Sequence, residues 1–193
     1  MESIGVVLVS IREGRRGEAF ATWIHGLLAE RPGISASIVD LKDWLLPPYA
    51  ESEHPTISEK KLGDDTLAGR WAALVRSFDA FVFVTPEYNM GYPGHLKNAL
   101  DRVNAPWNYK PLGFVSYGGV SAGTRVVQQL RQVSVELRMV PIRDEVPITL
   151  IGLQTDERGF PTAEFYRKRA AALIDELVWW TRLVKDGRER HPR

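Results

Sequence analysis

Three short stretches of this chain carry residue types that could do chemistry. Ser10-Ile-Arg-Glu-Gly-Arg-Arg-Gly17 sets a hydroxyl, three guanidiniums and two glycines just ahead of a predicted helix. Helix N-terminal N–H groups attract anions, and the arginine fork matches phosphate oxygens. The spacing fits neither a dinucleotide GxGxxG nor a Walker GxxxxGK[ST] loop, and taken alone the stretch also reads as a solvated basic turn capped by Ser10. Thr85-Pro-Glu-Tyr-Asn-Met-Gly-Tyr-Pro-Gly94 follows a buried-looking strand. Its prolines and glycines leave backbone groups able to face a flat heterocycle, with Tyr88 offering a ring edge or face. Residue by residue the bland alternatives hold: surface packing for Tyr88, a left-handed turn residue at Asn89, an ion-pair partner at Glu87. Ser116-Tyr-Gly-Gly-Val-Ser-Ala-Gly123 is the third stretch, where paired glycines after a strand permit close approach of backbone to ligand or simply make a flexible turn.

The elements that would position these stretches are written in hydrophobic periodicity. Ile4–Val9 is a continuous β-branched run of the kind buried on both faces of a parallel sheet. Phe20, Trp23, Ile24, Leu27 and Leu28 recur at helical spacing until Arg31-Pro32-Gly33. Residues 34–41 read as a second strand, and 44–61 as the longest loop, its prolines excluding a central strand. Leu67, Trp71, Leu74, Val75 and Phe78 mark a helix, 80–84 a third strand, and Leu96, Ala99, Leu100 and Val103 a helix entered through Pro93. Residues 110–117 form a fourth strand, Val126 to Leu137 a helix, 139–142 a last core strand with a small extension at 147–153, and Tyr166 to Val184 a long closing helix. Strands alternating with helices, without repeats or a composition break, predict one α/β domain over residues 1–186: a three-layer sandwich with right-handed crossovers. The flavodoxin-like parallel sheet of order 2-1-3-4-5 is the doubly wound arrangement chosen. In it the loops after strands one, three and four meet at one edge, where such sheets bind ligands. The basic stretch 187–193 is expected to be a disordered tail.

Composition narrows the classes. The chain has 193 residues, 44% of them apolar, no cysteine and a net charge of +1. It can bury a core unaided, cannot use thiol chemistry or thiolate zinc, and has no global field to select nucleic acid or membrane. Without a membrane-length apolar run or a leader pattern it is expected in the cytoplasm. His25, His54, His95 and His191 show no ligand spacing, so no metal is expected.

On these residues the chain resembles the NADPH-dependent FMN reductase family of flavodoxin-like flavoenzymes. Thr85-Pro-Glu-Tyr-Asn89 with Pro93-Gly94-x-Leu-Lys-Asn-Ala-x-Asp101 is similar to that family's signature, Ser10-x-Arg12 to its phosphate loop, and Ser116-Tyr-Gly-Gly119 with Ser121 and Gly123 to its second flavin loop. Val9 and Gly91 depart from the family's common glycine and serine. The resemblance implies that Ser10, Arg12, Arg15 and the backbone around Gly17 and Glu18 hold the FMN phosphate. It implies equally that Pro86, Glu87, Tyr88 and Asn89, with Ser116, Tyr117, Gly118, Gly119 and Ser121, border the isoalloxazine. It further implies a homodimer or homotetramer, and hydride transfer from NADPH or NADH through FMN to a small acceptor such as a quinone, an azo compound, a metal ion or free flavin. The cofactor would carry the reaction, so no catalytic side chain is named. The alternative is an electron carrier of flavodoxin type that binds FMN but no pyridine nucleotide. A phospho-accepting receiver domain fails, because Ser10 and Thr85 stand where it needs acids.

Overall fold

The computed structural model describes residues 1–190. Five parallel strands form one sheet in the order β2-β1-β3-β4-β5: β1 (Glu2–Leu8), β2 (Ile34–Asp40), β3 (Ala80–Pro86), β4 (Pro111–Gly118) and β5 (Val140–Thr149). This is the predicted flavodoxin-like order. The helices are α1 (Gly17–Ala29), α2 (Pro55–Ser58), α3 (Leu67–Ser77), α4 (Gly94–Asp101), α5 (Thr124–Glu136) and α6 (Glu164–Arg190).

Side-chain alternation along the central strands builds two cores. Ile4, Val6 and Leu8 of β1, with Ala80, Val82 and Val84 of β3, face α1 and α6, where Phe20, Ile24, Leu28, Leu173 and Leu177 meet them. Val7, Phe81, Phe83 and Phe114 face the other way, onto Trp71, Leu96, Leu100, Val127 and Leu130 of α3, α4 and α5. Both faces of the middle strands are therefore covered, which is why their sequence reads as unbroken apolar runs. Leu96, Ala99, Leu100 and Val103 are all in this second core, so the α4 stripe is consumed within the chain.

Three expectations change. The two pieces foreseen at 139–142 and 147–153 are one strand, β5, broken by a bulge that shifts its register against β4 between Leu112 and Phe114. The bulge is held from outside: Arg131 donates to the Ile142 and Arg143 carbonyls and to Glu145, while Glu176 accepts from the Arg143 and Asp144 N–H groups. Pro141 and Pro147 are tolerated because β5 is an edge strand. The long loop after β2 contains α2 and is pinned to α4 by Asn98, which donates to the Leu46 and Pro47 carbonyls and accepts from the Tyr49 N–H. The tail expected to be disordered from 187 is helical through Arg190, because Arg188 donates to Asp79 and to the Tyr109 carbonyl. Residues 191–193 lie outside the described residues. No described helix is long and apolar enough to cross a membrane.

Candidate functional site

The loops after β1, β3 and β4 meet at the carboxyl edge of the sheet around a cavity of about 330 Å³, within the range of small-molecule sites. The first loop is braced from below. Arg15 grips both Asp40 carboxylate oxygens at the end of β2 and donates to the Ser10 carbonyl at 2.8 Å. Asp40 in turn raises the Arg15 pKa, so this guanidinium is a permanent, largely buried cation. His95, in the first turn of α4, donates Nε2–H to the Val9 carbonyl at 2.6 Å and fixes the strand end from which the loop departs. Arg12 and Arg16 are exposed on the cavity wall and, among the described residues, pair with no carboxylate; the Arg12 guanidinium lies 5.7 Å over the Tyr88 ring.

The second loop leaves β3 through Pro86 and folds into a tight reversal. Tyr88 and Gly91 exchange both backbone hydrogen bonds at 3.0 Å, with Asn89 and Met90 at φ 49° and 69°. Two successive left-handed residues are the type I′ pattern. Gln129 of α5 donates to the Met90 carbonyl at 2.9 Å and holds the turn. Glu87 points toward the third loop: one carboxylate oxygen accepts from Ser121 Oγ and Arg125 Nε, each at 2.8 Å, while the other is buried without a partner.

In the third loop Ser116 is fully buried and donates to the Ala122 carbonyl at 2.9 Å, closing a turn through Ala122 and Gly123, both at positive φ. A Cβ at Gly123 would come within 2.7 Å of Ser116 Cβ, so only glycine fits. Tyr117 lends its backbone to the cavity, but its ring turns beneath α1 and meets Phe20 edge-on at 5.2 Å. Burial and the nearby Tyr88 push its pKa well up.

Of the predicted site residues, Ser10, Arg12, Arg15, Pro86, Glu87, Tyr88, Tyr117, Gly118 and Gly119 line the one cavity. Gly17 opens α1 directly above Tyr117, Glu18 and Asn89 face solvent, and Ser116 and Ser121 brace the wall from behind. Asp40, His95, Arg125 and Gln129, which fix these loops, were not singled out in the sequence. Each is contributed by an element other than the loop it holds, and spacing along one segment gives no signal for them. Among the described residues no group of three or more acidic or histidine side chains could hold a metal ion. A larger groove of about 570 Å³ runs along α6 past Trp179 and Arg31, but it contains none of the described buried polar atoms left without a partner.

A doubly wound sheet with a basic helix-start loop and two backbone-rich loops around one cavity defines a flavodoxin-like nucleotide-cofactor protein. Comparison with known proteins narrows this. Residues 3–151 match the NADPH-dependent FMN reductase family, and the chain belongs to that family. It is 38% identical to an NAD(P)H-dependent FMN reductase of Schizosaccharomyces pombe, over 97% of this chain and 92% of that one. It is 29% identical to a 2-hydroxy-1,4-benzoquinone reductase of a Burkholderia species, over 93% and 96% of the two chains. Among solved structures, the flavoenzyme NAD(P)H:(acceptor) oxidoreductase FerB of Paracoccus denitrificans superposes with a TM-score of 0.73 at 21% identity, covering 94% of this chain and 98% of that one, a likeness of fold. The chain is an oxidoreductase with FMN and NAD(P)H as its cofactors.

Proposed function

We propose that FMN lies across this cavity with its phosphate in the Ser10–Gly17 loop and its ring system against Glu87, Tyr88 and the Gly118-Gly119 backbone, and that the acceptor is a small quinone-like molecule. The observation carrying this reading is the polarity of the cavity. One end offers Ser10, Arg12, Arg16 and the start of α1; the other offers Pro86 and the Gly118-Gly119 backbone, beside a Glu87 already engaged by Ser121 and Arg125, with Tyr88 between the two ends. A phosphate suits the first end and a neutral heterocycle the second.

FMN, when bound, supplies hydride transfer from NAD(P)H to the acceptor. The protein's part is to hold and orient. Ser10, Arg12 and the first N–H groups of α1 fix the anion. Pro86 removes an N–H from the wall, and the Tyr88–Gly91 turn, pinned by Gln129, sets the height of the tyrosine at the rim. The named Burkholderia relative supports a quinone-like acceptor. We also propose a cytoplasmic homodimer or homotetramer. The exposed Leu45 and Ile57, on the loop that Asn98 ties to α4, are suited to a subunit contact, since the α4 stripe itself is buried.

An absorption spectrum of the purified protein, taken before and after NADPH in the absence of air, tests the reading. Bands near ~370 and ~450 nm that bleach are the expected result for a flavin-borne hydride relay. Flavin that binds but never bleaches would make the chain an electron carrier instead, and failure to bind added FMN would remove the site assignment.

A further inference from the structure

Ser10, Tyr88 and Tyr117 place three hydroxyls together at the start of α1. Ser10 Oγ and Tyr88 Oη lie 2.8 Å apart, so one of those two protons is bonded. Tyr117 Oη is buried and has no hydrogen-bond partner of good geometry, although Ser10 and the Gly17 amide are its polar neighbours. Ser10 Oγ also accepts from the Arg12 N–H at 3.4 Å, which leaves the Tyr117 hydroxyl as the buried member of the cluster without a partner. The first N–H groups of a helix are likewise unclaimed by the helix itself. A buried hydroxyl left without a partner is costly, and an anion at the helix start would accept from this cluster and reorder its protons.

Space at this point is reserved for the tyrosine hydroxyl. A Cβ at Gly17 would stand 2.5 Å from Tyr117 Oη and 3.1 Å from Leu8 Cδ1, so α1 can start here only with glycine if the hydroxyl is to stay. The ring itself is satisfied by Phe20, at 5.2 Å, and needs no hydroxyl for packing. Its raised pKa keeps the phenol protonated, hence a donor, throughout the physiological range.

We infer that Tyr117 is a positioning residue for a phosphate monoester: its buried O–H donates to Ser10 Oγ, turning the Ser10 proton toward the phosphate and away from Tyr88. The inference rests on the proposed placement of FMN and adds a specific consequence, selection of the phosphorylated flavin over riboflavin. A hydroxyl that served packing alone would affect both flavins equally.

Dissociation constants for FMN and for riboflavin, measured by quenching of flavin fluorescence on the full chain, separate these roles. Tyr117→Phe should weaken FMN about 10- to 100-fold, the range of a hydrogen bond to a charged group, and leave riboflavin within about twofold. Gly17→Ala, which displaces the hydroxyl without deleting it, should show the same selectivity. It carries the comparison should Tyr117→Phe not fold. Equal losses for both flavins, or no loss for either, would overturn the role of Tyr117 while leaving FMN in the cavity. Wild-type protein that bound neither flavin would overturn the placement of FMN and this inference with it.

Discussion

Arg15 and Asp40 form a two-pronged ion pair beneath the first loop, and the same guanidinium holds the Ser10 carbonyl. An arginine that the family resemblance assigns to a phosphate here grips a carboxylate and braces the loop that presents Ser10. Asp40→Asn leaves a largely buried cation with only the exposed Glu18, at 3.6 Å, as counter-charge. The expected outcome is a loss of about 1–3 kcal/mol in stability, the cost of leaving such a group poorly paired, together with weaker FMN binding. Urea denaturation and flavin titration of the variant check both, and an unchanged unfolding midpoint would contradict the brace.

Met90 sits at φ 69° in the second left-handed position of the type I′ turn, a place that favours glycine. The residue is 59% exposed and contributes little packing. Met90→Gly should therefore stabilise the protein by roughly 0.5–1 kcal/mol, as expected for relief of a left-handed non-glycine residue offset by glycine's greater freedom when unfolded. A lower unfolding midpoint would show that the methionine makes a stabilising contact outweighing the strain.

These loops mark how far the sequence could be read. Ile4–Val9 and Ala80–Val84 announce their strands because both faces are covered, and Phe20, Ile24 and Leu28 announce α1 because a single stripe faces the sheet. Arg143-Asp144-Glu145 hides the continuity of β5, since what sustains the strand there is Arg131 and Glu176, from two different helices. The three site loops could be placed on one edge by topology alone. The direction of the Tyr117 side chain could not, because it depends on the space left by Gly17 across a different layer. Asn89 carries its left-handed conformation in its residue type, whereas Met90 gives no such sign.

Glu87 has one oxygen engaged by Ser121 and Arg125 and the other buried without a partner. Removing the carboxylate should free the third loop, so Glu87→Ala is expected to cost about 1–2 kcal/mol for the lost hydrogen bonds and to weaken FMN binding. Glu87→Gln keeps an acceptor for Ser121 and removes the charge that Arg125 pairs with. Its stability should stay within about 1 kcal/mol of wild type, as for a change that weakens one charge-assisted bond to a half-exposed arginine. Thermal unfolding of the two variants side by side decides this: equal losses would mean that charge, not hydrogen bonding, holds the loop.

Lys110 lies at the other end of the sheet, buried, with Nζ donating to the Val75 carbonyl at 2.5 Å and the Arg76 carbonyl at 3.2 Å at the end of α3. Burial, reinforced by Arg188 and Arg76 and opposed by Asp79, lowers its pKa to about 7. The folded chain therefore binds fewer protons at this site than the unfolded chain between pH 7 and the ordinary lysine value near 10.5. Stability contributed through Lys110 must rise as pH increases across that window and level off below pH 7, where both states are charged. Lys110→Met removes the titration and fills the same space beside Phe81, whose ring centre is 5.7 Å from Nζ. Its unfolding midpoint in urea, compared with wild type at pH 7 and pH 9, should show the smaller gain toward alkaline pH. Identical pH dependence in the two proteins would mean that Lys110 keeps an ordinary pKa despite its burial.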